Sequence, residues 1–356
     1  MVIHIRRSIQ ERSSIQSPQH HSLFTSPSPS RSGRDKLPLL IKGKMAFNVN
    51  KKFYFKTGRH TNTTRGYMIT SVAETDKGLV RDYNEDKISM VHDATNPAFP
   101  VHFFGLYDGH GGSRCAEFLK QNLHDYILKD SDLHVDPKNV ILRSFIKAEN
   151  MFIEDAKRNN LDRSGSCGII CLVIKDKCYV ANLGDSRAVL SSNKGSKIFP
   201  LSRDHKPFEQ LEMSRIIQAG GYVYQSNNYN SVPAVLGPYR VFPGRLSVSR
   251  TIGDIYAKLS QYGGNANVII PTPEIKNFRI LPEHDFILMC SDGIFDRIDN
   301  NKAIECIWES FRENYTLSIE HKCSNAAKKL IQLAFERNSM DNVTVIIIAL
   351  TNLQDN

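Results

Sequence analysis

Four apolar runs in this chain meet an aspartate at one end, and no other feature constrains the fold as tightly. FFGLYDG ends near Asp108, YVANLGD at Asp185 and FILMCSDG near Asp292, while NVTVIIIAL follows Asp341. Apolar runs occupy residues 101–107, 168–174, 178–183, 187–191, 285–290 and 343–350. Each is short, and rich enough in β-branched or aromatic residues to favour strand over buried helix. KDK at 175–177 separates two of them as a short hairpin connection, and strands joined so tightly pair antiparallel. Helical spacing is readable at 113–129, 138–159, 208–219, 300–313 and 323–337, where apolar residues recur at three and four. Strand groups interleaved with helix groups predict an α+β fold of stacked, mainly antiparallel sheets with helices outside. A doubly wound parallel sheet would want a helix after nearly every strand. No internal repeat is visible.

Aligned strands of this kind bring several carboxylate-bearing ends to one rim. Like charges crowded there repel by roughly several kcal/mol at reduced dielectric, so the cluster needs a cation. Oxygen ligands without a companion set of Cys or His point to a hard ion, Mg²⁺ or Mn²⁺, in preference to Zn²⁺. Any single Asp-Gly or Gly-Asp-Ser is ordinary turn chemistry; four together, with Glu85 and Asp86 upstream in VRDYNEDKI, exceed what turns require.

Composition sets the remaining bounds. With 356 residues, 40% hydrophobic and 23% charged, the chain resembles a soluble α/β globular protein. No run approaches the roughly 20 apolar residues of a membrane span, and the start lacks the apolar block of a secretory signal. Seven cysteines without a Cys-x-x-Cys pair predict reduced thiols and a cytoplasmic or nuclear location. The net charge of +9 is unevenly divided: residues 1–60 hold 12 Lys and Arg against Glu11 and Asp35, a balance of +10, leaving the remainder at −1. Residues 1–60 therefore read as a flexible, basic, Ser/Pro-rich leader ahead of a globular region at 61–356. The leader offers Arg6, Arg7, Arg31, Arg34 and Lys36 to an anionic surface or partner. Ser17, Ser26 and Ser28 precede prolines as modification sites, and Met45 is an alternative start. A nearly neutral globular region without basic-aromatic interleaving argues against nucleic-acid binding, and a monomer is expected.

The motifs, taken in order, are specific. Arg81 to Asp86, Asp108-Gly109-His110-Gly111-Gly112, GDSRAVL at 184–190, LSRDHKP at 201–207, SVSRTIGD at 247–254, CSDGIFD at 290–296 and DNVTVII at 341–347 together resemble the type 2C metal-dependent serine/threonine protein phosphatases over roughly residues 66–351. The resemblance implies a four-layer αββα sandwich, two stacked sheets flanked by pairs of helices. It implies that Asp108 bridges two divalent ions, that Asp292 and Asp341 complete the first ion's ligands, and that the Gly109 carbonyl reaches the second. Glu85 and Asp86 match acids that hold metal-bound waters. Asp185, with Asp292 and Asp296, matches a weaker third metal position. Arg81 corresponds to the phosphate-binding arginine and His110 to the general acid. Phosphorylated proteins are the implied substrates.

These residue types suit one another. Two ions about 3.5–4 Å apart lower the pKa of a bridging water and neutralise phosphate oxygens during in-line attack. Gly109 lets its carbonyl turn inward, which a side chain at an unusual φ would resist. Arg81 supplies a planar, permanently charged fork, and His110 is suited to protonating an alkoxide. A surface ion pair of Arg81 with Asp82, Glu85 or Asp86 is the competing reading. His205 and Arg250 read as structural, His92, His102 and His124 carry no assigned role, and Thr272-Pro273-Glu274 reads only as an extended edge before the Asp292 strand. Cys167 follows Gly165-Ser166 where the family commonly has threonine. The segment at about 208–245 takes the place of the family's variable flap, and its Asn, Gly and Pro content over 220–245 predicts a mobile loop. Two functions stand open: hydrolysis of phosphoserine and phosphothreonine, or a catalytically silent phosphoprotein-binding module of the same fold.

Overall fold

The structure, a computed structural model, describes residues 68–92, 100–159, 161–228 and 235–355. The basic leader, with its Ser-Pro pairs and Met45, lies outside the described residues. The chain opens with β1 (Met68–Asp76), β2 (Lys87–Val91), β3 (Val101–Tyr107) and the two-residue β4 (Gly109–His110), followed by α1 (Arg114–Leu128) and α2 (Pro137–Arg158). A run of strands comes next: β5 (Gly165–Ser166), β6 (Gly168–Ile174), β7 (Lys177–Leu183), β8 (Arg187–Ser192) and β9 (Lys197–Pro200). After α3 (Gln210–Gln218) come the hairpin β10 (Tyr222–Asn228) and β11 (Val235–Phe242), then β12 (Ile252–Gly253), α4 (Ile255–Lys258) and β13 (Glu274–Arg279). The chain closes with β14 (His284–Cys290), α5 (Asp292–Phe295), α6 (Asn300–Glu313), α7 (Ile319–Glu336) and β15 (Val343–Leu350).

Two five-stranded antiparallel sheets result, in the orders β1-β15-β14-β8-β9 and β13-β7-β6-β3-β2. Between them lies an apolar layer that includes Phe104, Leu106, Ile169, Ala188, Ile287, Met289, Ile346 and Ile348. The outer face of one sheet carries Phe103, Tyr107, Ile170 and Leu172 against α1 and α2; that of the other carries Leu288, Val345 and Ile347 against α6 and α7. Alternate residues of β14 and β15 thus face opposite layers, as the period-2 pleat dictates, and both layers are apolar and buried. This explains why the strands read as continuous apolar runs rather than alternating ones, and it gives the expected four-layer α+β sandwich.

All six anticipated strands form, and the turn at Lys175–Asp176 joins β6 to β7. Three expectations need correction. The 220–245 segment is no open loop: Tyr222 pairs with Phe242 and Tyr224 with Arg240 in a hairpin, because Tyr and Val alternate there as a strand requires; residues 229–234 lie outside the described residues. Glu274 begins β13, which pairs with β7 in the sheet opposite β14, so it is no mere lead-in to the Asp292 strand. Helix α7 starts at Ile319 because the Ser318 side chain caps it by accepting from His321 N–H. All seven cysteines are free and buried. Among the described residues, no helix is long and apolar enough to cross a membrane.

Candidate active site

The ends of β3, β7 and β14 deliver Asp108, Asp185 and Asp292 to one place, with a carboxylate oxygen from each lying within 4.8 Å of the others. These groups come from strands of both sheets, and α5 begins at Asp292 itself. Burial, then mutual repulsion with Asp292, Asp86, Asp185 and Asp341, pushes the Asp108 carboxyl well above its ordinary range. Burial, then repulsion from Asp185, Asp296 and Asp341, pushes Asp292 well above it as well, against the opposing charge of Lys206. Burial also raises Asp86 to about 6. Its Oδ2 accepts from Thr344 Oγ1 at 2.6 Å, whereas its buried Oδ1 has no hydrogen-bond partner. Among the described residues no side-chain donor hydrogen-bonds to the carboxylates of Asp108 or Asp292. Crowded, mutually repelling carboxylate oxygens, those of Asp108 and Asp292 partly buried and Asp86 Oδ1 buried without a partner, are the donor set of a hard divalent ion, so these residues fit a hard cation of the expected kind.

The remaining expected acids surround this trio. Asn342 organises them: its Oδ1 accepts from Glu85 N–H at 2.8 Å, and its Nδ2 donates to the carbonyls of Lys77 and Tyr83. Glu85 Oε1 in turn accepts from Gly112 N–H at 2.6 Å. Asp341 stands outside the closest group, and its Oδ2 accepts from the Arg81 guanidinium at 2.7 Å. Arg81 therefore makes an ion pair, but with Asp341, 260 positions away, rather than with Asp82, Glu85 or Asp86. Asp296, exposed one helical turn after Asp292, is held by Lys206 Nζ at 2.8 Å.

Gly109 is needed for a different reason from the one its position suggested. Its φ is not positive; instead an added Cβ would lie 2.8 Å from the Glu85 carbonyl oxygen and 3.0 Å from Ala116 Cβ. Close packing between the Glu85 segment and α1 excludes a side chain. Cys167 donates its thiol to Asp185 Oδ1 at 3.4 Å, a longer and weaker bond than a hydroxyl would make.

His110 has a partner that the sequence reading did not name. Its Nε2 lies 3.0 and 2.9 Å from the two oxygens of Asp254. A three-stranded miniature sheet, β12-β5-β4, builds this pair, placing Gly165 opposite both His110 and Gly253. A Cβ at Gly165 would come 2.0 Å from Asp254 Oδ2 and 2.5 Å from His110 Nε2, so only glycine lets the two side chains meet. Burial works against the imidazolium, but the Asp254 charge and hydrogen bond outweigh it and raise the His110 pKa above its ordinary value. The signal was present in SVSRTIGD, whose final Asp follows a glycine as Asp185 does in GDSR.

A second acidic group, His205, Glu212 and Glu274, also has ligand atoms within 4.8 Å. Its charge is already met: Arg250 reaches Glu212 at 2.5 Å and Glu274 at 3.3 Å, Arg215 reaches Glu212 at 2.9 Å, and Arg203 pairs with Glu274. His205 is fully buried, and its Nδ1 accepts from Gly184 N–H at 3.0 Å, which fixes the turn carrying Asp185. His205 and Arg250 are thus structural, as expected, and Glu274 joins them.

The Protein phosphatase 2C family model matches residues 73–343. Probable protein phosphatase 2C 30 of Arabidopsis thaliana is 34% identical over 70% of this chain and 58% of its own length. Probable protein phosphatase 2C 59 of Oryza sativa subsp. japonica is 34% identical over 76% and 72%, and protein phosphatase 1L of Bos taurus is 34% identical over 76% and 70%. The chain spans 58% and 48% of the length of the first two curated relatives it matches. Among solved structures, a C. elegans sex determining protein superposes with a TM-score of 0.68 at 23% identity, covering 81% of this chain and 66% of that one. A serine-threonine phosphatase 2C from Toxoplasma gondii superposes with a TM-score of 0.62 at 19% identity, covering 81% and 98%. The sandwich, the carboxylates at its strand ends and these matches agree, and the chain belongs to the protein phosphatase 2C family.

Proposed function

We propose that this protein hydrolyses phosphoserine and phosphothreonine in other proteins in a reaction dependent on Mg²⁺ or Mn²⁺. The observation that carries this reading is the meeting of Asp108, Asp185 and Asp292 within 4.8 Å, with a guanidinium and a carboxylate-paired imidazole beside them. Divalent ions held by these acids supply an activated water and neutralise phosphoryl oxygens. Asp108, Gly109, Asp292 and Asp341 are the residues assigned to the ions, Glu85 and Asp86 to the surrounding waters, and Asp185 and Asp296 to a weaker third position.

The chain's own residues do the rest. Arg81 lies half exposed at the rim, so its guanidinium can release Asp341 and take two phosphoryl oxygens in a bidentate contact. His110, held by Asp254, keeps a proton ready for the alkoxide oxygen of the departing serine or threonine, and Asp254 stabilises that protonated form. Among the residues assigned here, none serves as a protein nucleophile. The complete acidic set favours this reading over a silent phosphoprotein-binding module, which would have no need to crowd Asp108, Asp185 and Asp292 together against their mutual repulsion. Turnover of a phosphothreonine peptide tests it. Activity should require Mn²⁺ or Mg²⁺, disappear with EDTA and fall by at least about 10²-fold in Asp108→Asn. Activity indifferent to both would refute the metal-dependent mechanism, and absence of turnover under every condition would favour the binding module.

A further inference from the structure

Each side of the acidic cluster ends in a cation supplied by the chain itself. At one side Arg81 takes Asp341; at the other the Lys206 ammonium lies 2.8 Å from Asp296 Oδ1 and 3.3 Å from Asp185 Oδ2. The two differ in how they are held. The Arg81 side chain is 49% exposed, on a loop, whereas that of Lys206 is 20% exposed. The preceding residue, His205, is clamped to Gly184 through both its N–H and its ring, so the lysine's backbone is fixed beside Asp185. Both oxygens of Asp185 are thereby engaged, Oδ1 by the Cys167 thiol and Oδ2 by Lys206. Asp185 is nevertheless one of the three acids that approach within 4.8 Å.

We propose that Lys206 is a tethered cation that holds the Asp185–Asp296 side of the cluster in place of a divalent ion. An ion then binds on that side only by displacing the ammonium. This inference rests on the metal-dependent reading above. The physical argument is one of competition at a single pair of carboxylates. An ammonium is a compact charge on a flexible four-carbon stem, fixed here at its backbone and able to swing its head group out to water. It neutralises Asp185 and Asp296 without the coordination bonds a divalent ion forms. Occupancy of this side therefore measures divalent ion concentration against an internal competitor, and the Asp108–Asp292 core, which among the described residues makes no ion pair with Lys206 although the lysine's charge reaches Asp292, fills first.

Equilibrium dialysis of Mn²⁺ against the full chain tests the exchange without reading activity. The wild type should show a tight class of ions and a weak one. Lys206→Gln should tighten the weak class by about tenfold or more, on the scale of changes to a metal site's supporting shell, and leave the tight class unchanged. Lys206→Arg, which keeps a cation there, should leave the weak class weak. A Lys206→Gln isotherm that superimposes on the wild type, or a weak class absent from both, overturns the proposal while the tight class still upholds the metal reading. A wild type without any tight class overturns both. Should the variants fail to fold, the wild type with ¹³C-methylated lysines answers the same question during Mg²⁺ titration. The Lys206 resonance should move only in the weak phase, and a resonance fixed through saturation would overturn the proposal.

Discussion

At the residue scale the chemistry depends on pairs formed between distant positions. His110 and Asp254 are 144 residues apart and meet only because Gly165 between them lacks a Cβ. Replacing His110 with Ala should lower kcat on a phosphothreonine peptide by about 10²–10⁴-fold. The loss on p-nitrophenyl phosphate, whose leaving group needs no proton, should be much smaller. Asp254→Asn and Gly165→Ala should move the same ratio in the same direction, since both act on His110 rather than on the ions. Equal losses on the two substrates would show that His110 does not act as the acid. Asp108, Asp185, Asp292 and Asp341 were legible in the sequence because each stands at the end of an apolar run, whereas Glu85, Asp86 and Asp296 took their roles from the resemblance. Their counterions were legible in neither way. Which carboxylate Arg81 or Lys206 takes depends on how the two sheets are stacked, and local spacing carries no record of that.

At the element scale, α3 is joined to the sheets by charge rather than by apolar burial alone. Glu212, almost completely buried, accepts from Arg250, Arg215 and Ser249. Burial disfavours its charge, but the bonds from Arg250 and Ser249 outweigh that and hold its pKa far below the ordinary glutamate range. A carboxylate depressed in this way contributes stability that is present above its unfolded pKa and lost as pH falls through the folded value. Glu212→Gln leaves Arg250 buried with only Glu274 as an acidic partner, and should cost roughly 3 kcal/mol at neutral pH. The gap between variant and wild type in thermal or urea unfolding should narrow below about pH 4. A gap independent of pH would assign the effect to packing. The same element shows why the flap was misread. Its Gly, Asn and Pro residues dominate a composition-based reading, while the alternation in Tyr222, Val223 and Tyr224 that makes β10 spans too few residues to stand out.

At the scale of the whole molecule, every element that builds the site among the described residues begins at or after Met68, and the family match begins at residue 73. The strand runs made the sandwich readable: both faces of β14 and β15 are covered, so apolar residues had to be continuous. The order of strands within each sheet was not readable, since it follows from packing of the helix pairs. We propose that residues 1–60 serve location or partner choice rather than chemistry. A chain lacking them should keep its kcat and its Mn²⁺ dependence within about twofold; a large loss of either would place the leader in the catalytic machinery.

The central claim is that acids distributed from Glu85 to Asp341 hold paired divalent ions around Asp108. Anomalous diffraction from crystals grown with Mn²⁺ tests it most directly. Two manganese peaks sharing Asp108, with Asp292 and Asp341 on one of them, are expected. A fully occupied lattice at saturating Mn²⁺ with no peak within bonding distance of Asp108 would contradict it.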